Sequence, residues 1–134
     1  MNWGRIVIAG LVAGVVVWLA DFVLHGWIMA SAYMKYPEVF SQEEASPFWF
    51  LAVAVCIALM VAILFAKTCD CWPSGLTGGA RFGFFLGLVG FFGPFYFPLV
   101  LKGFPYYLAW CWGGIHIIEA VIVGAVIGLI YKKA

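Results

Sequence analysis

Residues 6–30 read IVIAGLVAGVVVWLADFVLHGWIMA, an apolar run interrupted by one carboxylate, Asp21, and one imidazole, His25. A helix of about 20 mostly apolar residues crosses a bilayer, so this run alone decides the class of fold. An ionisable group at mid-membrane costs about 2.5–3.5 kcal/mol on insertion scales, and such groups turn inward, pair or serve function. The stretch DFVLH therefore predicts a polar face buried against another helix. The triplet Ala30-Ser31-Ala32 mimics a signal-peptide cleavage site, but the run before it is longer than a signal h-region. It is expected to stay as a membrane helix.

The rest of the chain agrees. It has 134 residues, 66% hydrophobic and 10% charged, with a mean hydropathy of +1.10. Soluble domains are about 45–50% apolar and about 25% charged, so the composition is that of an integral membrane protein with the lipid bilayer as its first partner. Aromatic residues reach 19%, with seven Trp and thirteen Phe, side chains that suit lipid and its interfaces. No polar stretch approaches the length of a soluble domain, and residues 1–134 read as one membrane domain. The net charge is +1, with no basic patch to track a phosphate backbone, which excludes nucleic acid as a partner.

Four windows qualify as spans: about 6–30, 48–66, 79–101 and 107–131. Ser46-Pro47 opens the second as an N-cap followed by proline in the first turn. The alternating pattern of a membrane barrel is absent, which leaves an all-α four-helix up-down bundle. Arg5, Lys67, Arg81, Lys132 and Lys133 fall at one side of the spans, and Lys35 and Lys102 at the other. This excess predicts both termini in the cytoplasm. Ser41 and Glu44 have the spacing of a capping box in the outer loop. The second span holds almost no polar atom beyond Cys56 and is expected to be the helix most exposed to lipid.

Glycines mark packing faces. Gly10 and Gly14 are four apart in the first span; Gly79, Gly83 and Gly87 repeat the spacing in the third, joined by Gly90 and Gly93; Gly124 and Gly128 do so in the fourth. Small residues at this spacing let helices approach closely where no hydrophobic force drives association. Pro94 and Pro98 should loosen the outer end of the third span, because proline removes a backbone donor.

Helical periodicity places Asp21 and His25 on the stripe of Gly10 and Gly14, and His116 and Glu119 beside the stripe of Gly124 and Gly128. At ~1.5 Å per residue, Asp21 and His116 both lie about 24 Å above the inner basic residues, Glu119 about 20 Å and His25 about 30 Å. If the first and last spans are neighbours, Asp21 meets His116, with Glu119 just below and His25 just above. Four readings of this cluster stay open: hydrogen bonding between helices, haem b on His25 or His116, a divalent metal on two His and two carboxylates, and a proton or cation path. The path reading stalls below Glu119, where the stripe is glycine and alanine.

Cys69-Asp70-Cys71 is a weak metal or redox motif in the inner loop, and Cys56 and Cys111 lie inside spans. On a cytoplasmic face these thiols are expected to stay reduced. No Ser/His/Asp set, phosphate-binding loop or dinucleotide fingerprint is present, and TGGARFG follows no strand. An enzyme is not expected.

The opening MNW, the glycine-rich first span, the stretch GLTGGARFGFFLGLVGF and the closing KGFPYYLAWCWGGIHIIEAVIVGAVIGLIYK resemble small bacterial four-span integral membrane proteins of the domain-of-unknown-function type. The resemblance implies a fold and no specific activity. Some of those proteins carry a Trp-Tyr pair where this chain has Asp21-Phe22, so a shared site does not transfer. The expectation is a non-enzymatic membrane protein, a subunit of a larger membrane complex or a homo-oligomer packed through its glycine faces. A cation or metal carrier using Asp21, His25, His116 and Glu119, and a haem-binding electron-transfer subunit, stand as alternatives.

Overall fold

The computed structural model describes residues 1–40 and 46–131. Among them the helices are α1 (Trp3–Val23), α2 (Ala30–Tyr33), α3 (Pro47–Thr68), α4 (Leu76–Phe91), α5 (Phe97–Val100) and α6 (Tyr106–Ile130), with no strand. Trp3–Ile28, Pro47–Cys71, Leu76–Val100 and Tyr106–Ile130 are helical segments long and apolar enough to cross a membrane. The all-α four-span bundle is the fold, and it is that of a multi-pass membrane protein.

Local chemistry sets the ends. The Asn2 side chain caps α1 by accepting the Arg5 backbone N–H at 3.2 Å, satisfying one of the free donors of the first turn. Ser46 is extended before Pro47, as a residue preceding proline should be, but its side chain makes no cap bond. Gly75 enters α4 at φ 78° and Gly103 turns the chain into α6 at φ 85°, a region where a Cβ is strained. Pro94 and Pro98 act as expected. Helix α4 ends at Phe91, a tight turn spans Gly93–Tyr96, and α5 is a four-residue remnant.

The four spans form two tight pairs, α1 with α3 and α4 with α6, joined through α1 and α6. The glycines explain the pairs. A Cβ on Gly79 would fall 2.0 Å from the Gly124 carbonyl oxygen, and one on Gly83 would fall 2.0 Å from that of Ala120. In the other pair, Gly10 and Gly14 lie against Leu59 and Val55, whose Cα atoms a Cβ would approach to 2.9 and 2.6 Å. The glycine faces read from the sequence as a surface for oligomers are thus engaged inside the chain.

One expectation needs correction. The second span does not lie loosely in lipid: Ala54, Ala58, Ala62 and Ala66 are buried at four-residue spacing, a small-residue stripe that packs in one core with Ala9 and Ala13 of α1. The third span is the more exposed, 17% buried in its most apolar window against 22% for the second. Helices α3 and α4 meet through the rings of Phe65 and Phe82 at one end, 5.2 Å between centroids, and their backbones otherwise stay apart, so the bundle is open along part of one side.

Phe65, Phe82 and Tyr131 close the core toward one end. There Met1, Asn2 and Trp3 share a hollow with Cys69, Asp70 and Tyr131, which puts both described chain ends at the same side of the bundle. At the opposite end Tyr33, Phe104 and Leu108 form a second buried cluster with Phe40 and Trp112. The capping box of Ser41 and Glu44, and Lys132 and Lys133, lie outside the described residues.

Candidate functional site

The regular turns of α1 stop at Val23. Residues Leu24–Ile28 form a π turn, closed by the Met29 N–H on the Leu24 carbonyl at 3.0 Å. A π turn holds one extra residue per turn, and such insertions recur at functional sites. Gly26 sits within it; no proline is involved. The wide turn re-aims His25 toward α6, where its Nε2 stands 3.9 Å from Glu119 Oε1. Asp21, His25 and Glu119 each offer one ligand atom, and all three atoms lie within 4.8 Å of one another.

The sequence placed Asp21 against His116, in a stack of two carboxylates and two imidazoles. The structure pairs the helices differently. Glu119 is the α6 residue that meets Asp21 and His25, because the π turn and the close glycine contacts of α6 fix how both helices face. His116 turns toward α4, its Nδ1 3.3 Å from the Gly90 carbonyl oxygen. A carbonyl only accepts, so that nitrogen carries the proton. His116 stays near the cluster without joining the three ligand atoms.

His25 is held from behind. Its Nδ1 is hydrogen-bonded to the Tyr33 hydroxyl, and the Trp112 indole N–H donates to the same hydroxyl at 2.7 Å. Burial pushes the Tyr33 phenol up to about 12, since the charged form is penalised away from water. Tyr33 is therefore a neutral O–H at ordinary pH, able to donate or accept. When it donates to Nδ1, the single N–H of the neutral imidazole is on Nε2 and points at Glu119. When it accepts from Nδ1–H, the Nε2 lone pair faces the two carboxyls, which is the tautomer a metal requires.

Glu119 is the most constrained member. Its side chain is 15% exposed, and its Oε1 is buried without a hydrogen-bond partner among the described residues. Two carboxylates within 4.8 Å repel by about 3 kcal/mol at an effective dielectric near 20. The pair needs a counter-charge: a shared proton, a protonated His25 or a bound cation.

The surroundings direct access. Toward the end of the bundle away from the chain termini, the rings of Phe40, Phe97, Phe104 and Tyr33 pack around Trp112 with centroids 5.3–6.3 Å away, forming an aromatic lid. On the open side of the bundle, a cavity of about 640 Å³ runs between α3 and α4, with Asp21, His116 and Glu119 at its floor and apolar side chains for walls.

Tyr33 and Trp112 did not figure among the sequence candidates. Trp112 carries a signal, standing four and seven residues before His116 and Glu119 on one helical stripe. Tyr33 lies beyond the π turn and has none. All four cysteines are free thiols, with Cys69-Asp70-Cys71 in a tight turn after α3, far in sequence from the cluster.

No family model, curated protein or solved structure matches the chain. Function is therefore read from the chemistry of the site.

Proposed function

We propose that this chain is a non-enzymatic integral membrane protein that holds a cation between α1 and α6, with Asp21, His25 and Glu119 as its ligands. One observation carries the reading: two carboxyls and an imidazole from two helices, each half-buried, converge within 4.8 Å, and one carboxyl oxygen has no hydrogen-bond partner among the described residues. One nitrogen and two oxygens suit zinc and similar divalent ions. With bonds of about 2.0–2.1 Å, tetrahedral ligand atoms sit about 3.4 Å apart, so the three need only close slightly. Tyr33, with Trp112 behind it, supplies the outer hydrogen bond that fixes a ligating histidine.

The other expectations find less support. A haem iron would have to approach His25 Nε2 where Glu119 already stands at 3.9 Å. A conducting path would need polar groups beyond Glu119, but Gly124 and Gly128 there press against the backbone of α4. A homo-oligomer or larger complex would have to use a surface other than the glycine faces. In this reading the chain lies in a bacterial inner membrane with both ends in the cytoplasm, following the balance of basic residues and the resemblance to small bacterial four-span proteins.

The test is calorimetric titration of the detergent-purified protein with Zn²⁺, in a Cys69→Ser/Cys71→Ser background so that loop thiols do not compete. One site per chain is expected, lost in Asp21→Asn and in Glu119→Gln. Absence of binding, or binding unchanged in both variants, contradicts the proposal.

A further inference from the structure

The cation centre is reached from the side. Among the spans, α1–α3, α4–α6 and α1–α6 pack against each other, whereas α3 and α4 stay apart except at the end where Phe65 meets Phe82. The gap between them is the cavity of about 640 Å³, within the roughly 300–1,000 Å³ of small-molecule sites. Its α3 wall runs from Trp49 to Val61, about 18 Å along the helix axis. Phe50, Val53 and Ile57 on that wall are each more than half exposed. In a bilayer the same surfaces face acyl chains, so the slot opens to the lipid phase.

The ends of the slot differ in chemistry. Apart from Ser46 at the start of α3 the walls are aliphatic and aromatic; the ionisable groups gather at the floor, where Asp21 and Glu119 come together and His116 stands beside them. A molecule already dissolved in the membrane enters the slot directly. Its tail fits the walls, and its head meets two carboxyls that ask for positive charge.

We propose that the slot between α3 and α4 admits a membrane-dissolved amphiphile with an ammonium head, which sits on Asp21 and Glu119 while its alkyl tail lies along α3. The proposal rests on the cation reading of the same centre and names the ligand class. Selectivity falls on the head group. The tail moves from lipid to a wall as apolar as lipid and gains little, whereas an ammonium donates charge-assisted hydrogen bonds to the carboxyls. Amines are therefore preferred over alcohols, and fatty acids are repelled.

The experiment uses the full chain in lipid nanodiscs, titrated with a dibrominated dodecylamine, the matching alcohol and the matching fatty acid. Bromine quenches nearby tryptophan, and Trp49 on the slot wall is the reporter, isolated by subtracting the Trp49→Phe signal. The amine is expected to quench saturably at concentrations at least tenfold below the alcohol, and Glu119→Gln to bring the two together. Val53→Trp and Ile57→Trp, which fill the slot from its wall, are each expected to abolish the amine effect while Zn²⁺ still binds. Equal quenching by all three probes, or an amine response untouched by Glu119→Gln or by the slot-filling variants, overturns the proposal. Zinc binding without any amine response overturns it while leaving the cation centre standing. Failure of both removes the centre and the proposal together.

Discussion

Consider alanine at Gly83. Its Cβ would lie 2.0 Å from the Ala120 carbonyl oxygen and 2.9 Å from the Val121 Cα, where ordinary contact needs well over 3 Å. Both neighbours are backbone, so no side chain can swing away. Helices α4 and α6 must separate by about 1 Å, and a gap of 0.5–1 Å forfeits a quarter to a half of the dispersion well along the seam. Overpacking of this kind costs about 1–3 kcal/mol, and Gly79→Ala should cost the same for the same reason. Gly114→Ala is the control: it is on α6 too, but its Cβ would meet nothing within 4 Å. There the gain in helix propensity leaves it neutral or stabilised by up to about 1 kcal/mol. Thermal unfolding of the three variants in one mild detergent decides the matter. Gly83→Ala as stable as Gly114→Ala would refute the close approach of α4 and α6, since the gain in helix propensity is common to both.

Other outcomes follow from the same geometry. Tyr33→Phe strands the Trp112 indole N–H and frees the His25 ring; zinc affinity should fall about 10–100-fold, as for other outer hydrogen bonds of metal sites, with a stability loss of about 1–3 kcal/mol. The Tyr33 phenol, raised to about 12, should contribute no tyrosinate absorbance near pH 10, as the difference spectrum between parent and Tyr33→Phe will show. An unfolded tyrosine ionises near 10, so this group's contribution to stability holds below pH 10 and is lost as pH rises toward 12. Ala58→Leu should destabilise by about 1–3 kcal/mol through overpacking against α1, whereas Ile57→Leu on the exposed side of α3 should leave the melting temperature unchanged. The purified protein is expected to show no Soret band, and a stoichiometric one would restore the haem reading.

How much of this was legible in the sequence depends on which force decides each feature. The spans were, because an apolar helix is the only local way to satisfy backbone groups in lipid. The break at Pro94 and Pro98 was legible too, since the missing N–H acts locally. Gly79, Gly83, Gly124 and Gly128 announced close packing, but spacing says that a helix is approached and not by which neighbour. That is why the same spacing suited both a tight bundle and an oligomer, and these glycines pack helices within one chain. The alanines at 54, 58, 62 and 66 carried a weaker form of the same message, hidden in a span whose hydropathy reads as lipid-facing. At the site, Asp21, His25 and Glu119 were found by the cost of burying them, but the partner of Asp21 was not. A height estimate does not say which way a helix faces: α6 turns His116 toward the Gly90 carbonyl of α4, and beyond Asp21 the π turn at Leu24–Ile28 re-aims His25 with no proline to mark it.

The claim beneath all of this is that His25 and two carboxyls, not the loop thiols, form the cation centre. Zinc K-edge absorption on the protein with unaltered cysteines, loaded with one equivalent of Zn²⁺ in lipid, tests it most directly. The expected first shell is nitrogen and oxygen at about 2.0–2.1 Å with a single imidazole, which His25→Gln removes. A shell of sulfur at about 2.3 Å, or an imidazole contribution that survives His25→Gln, would contradict it.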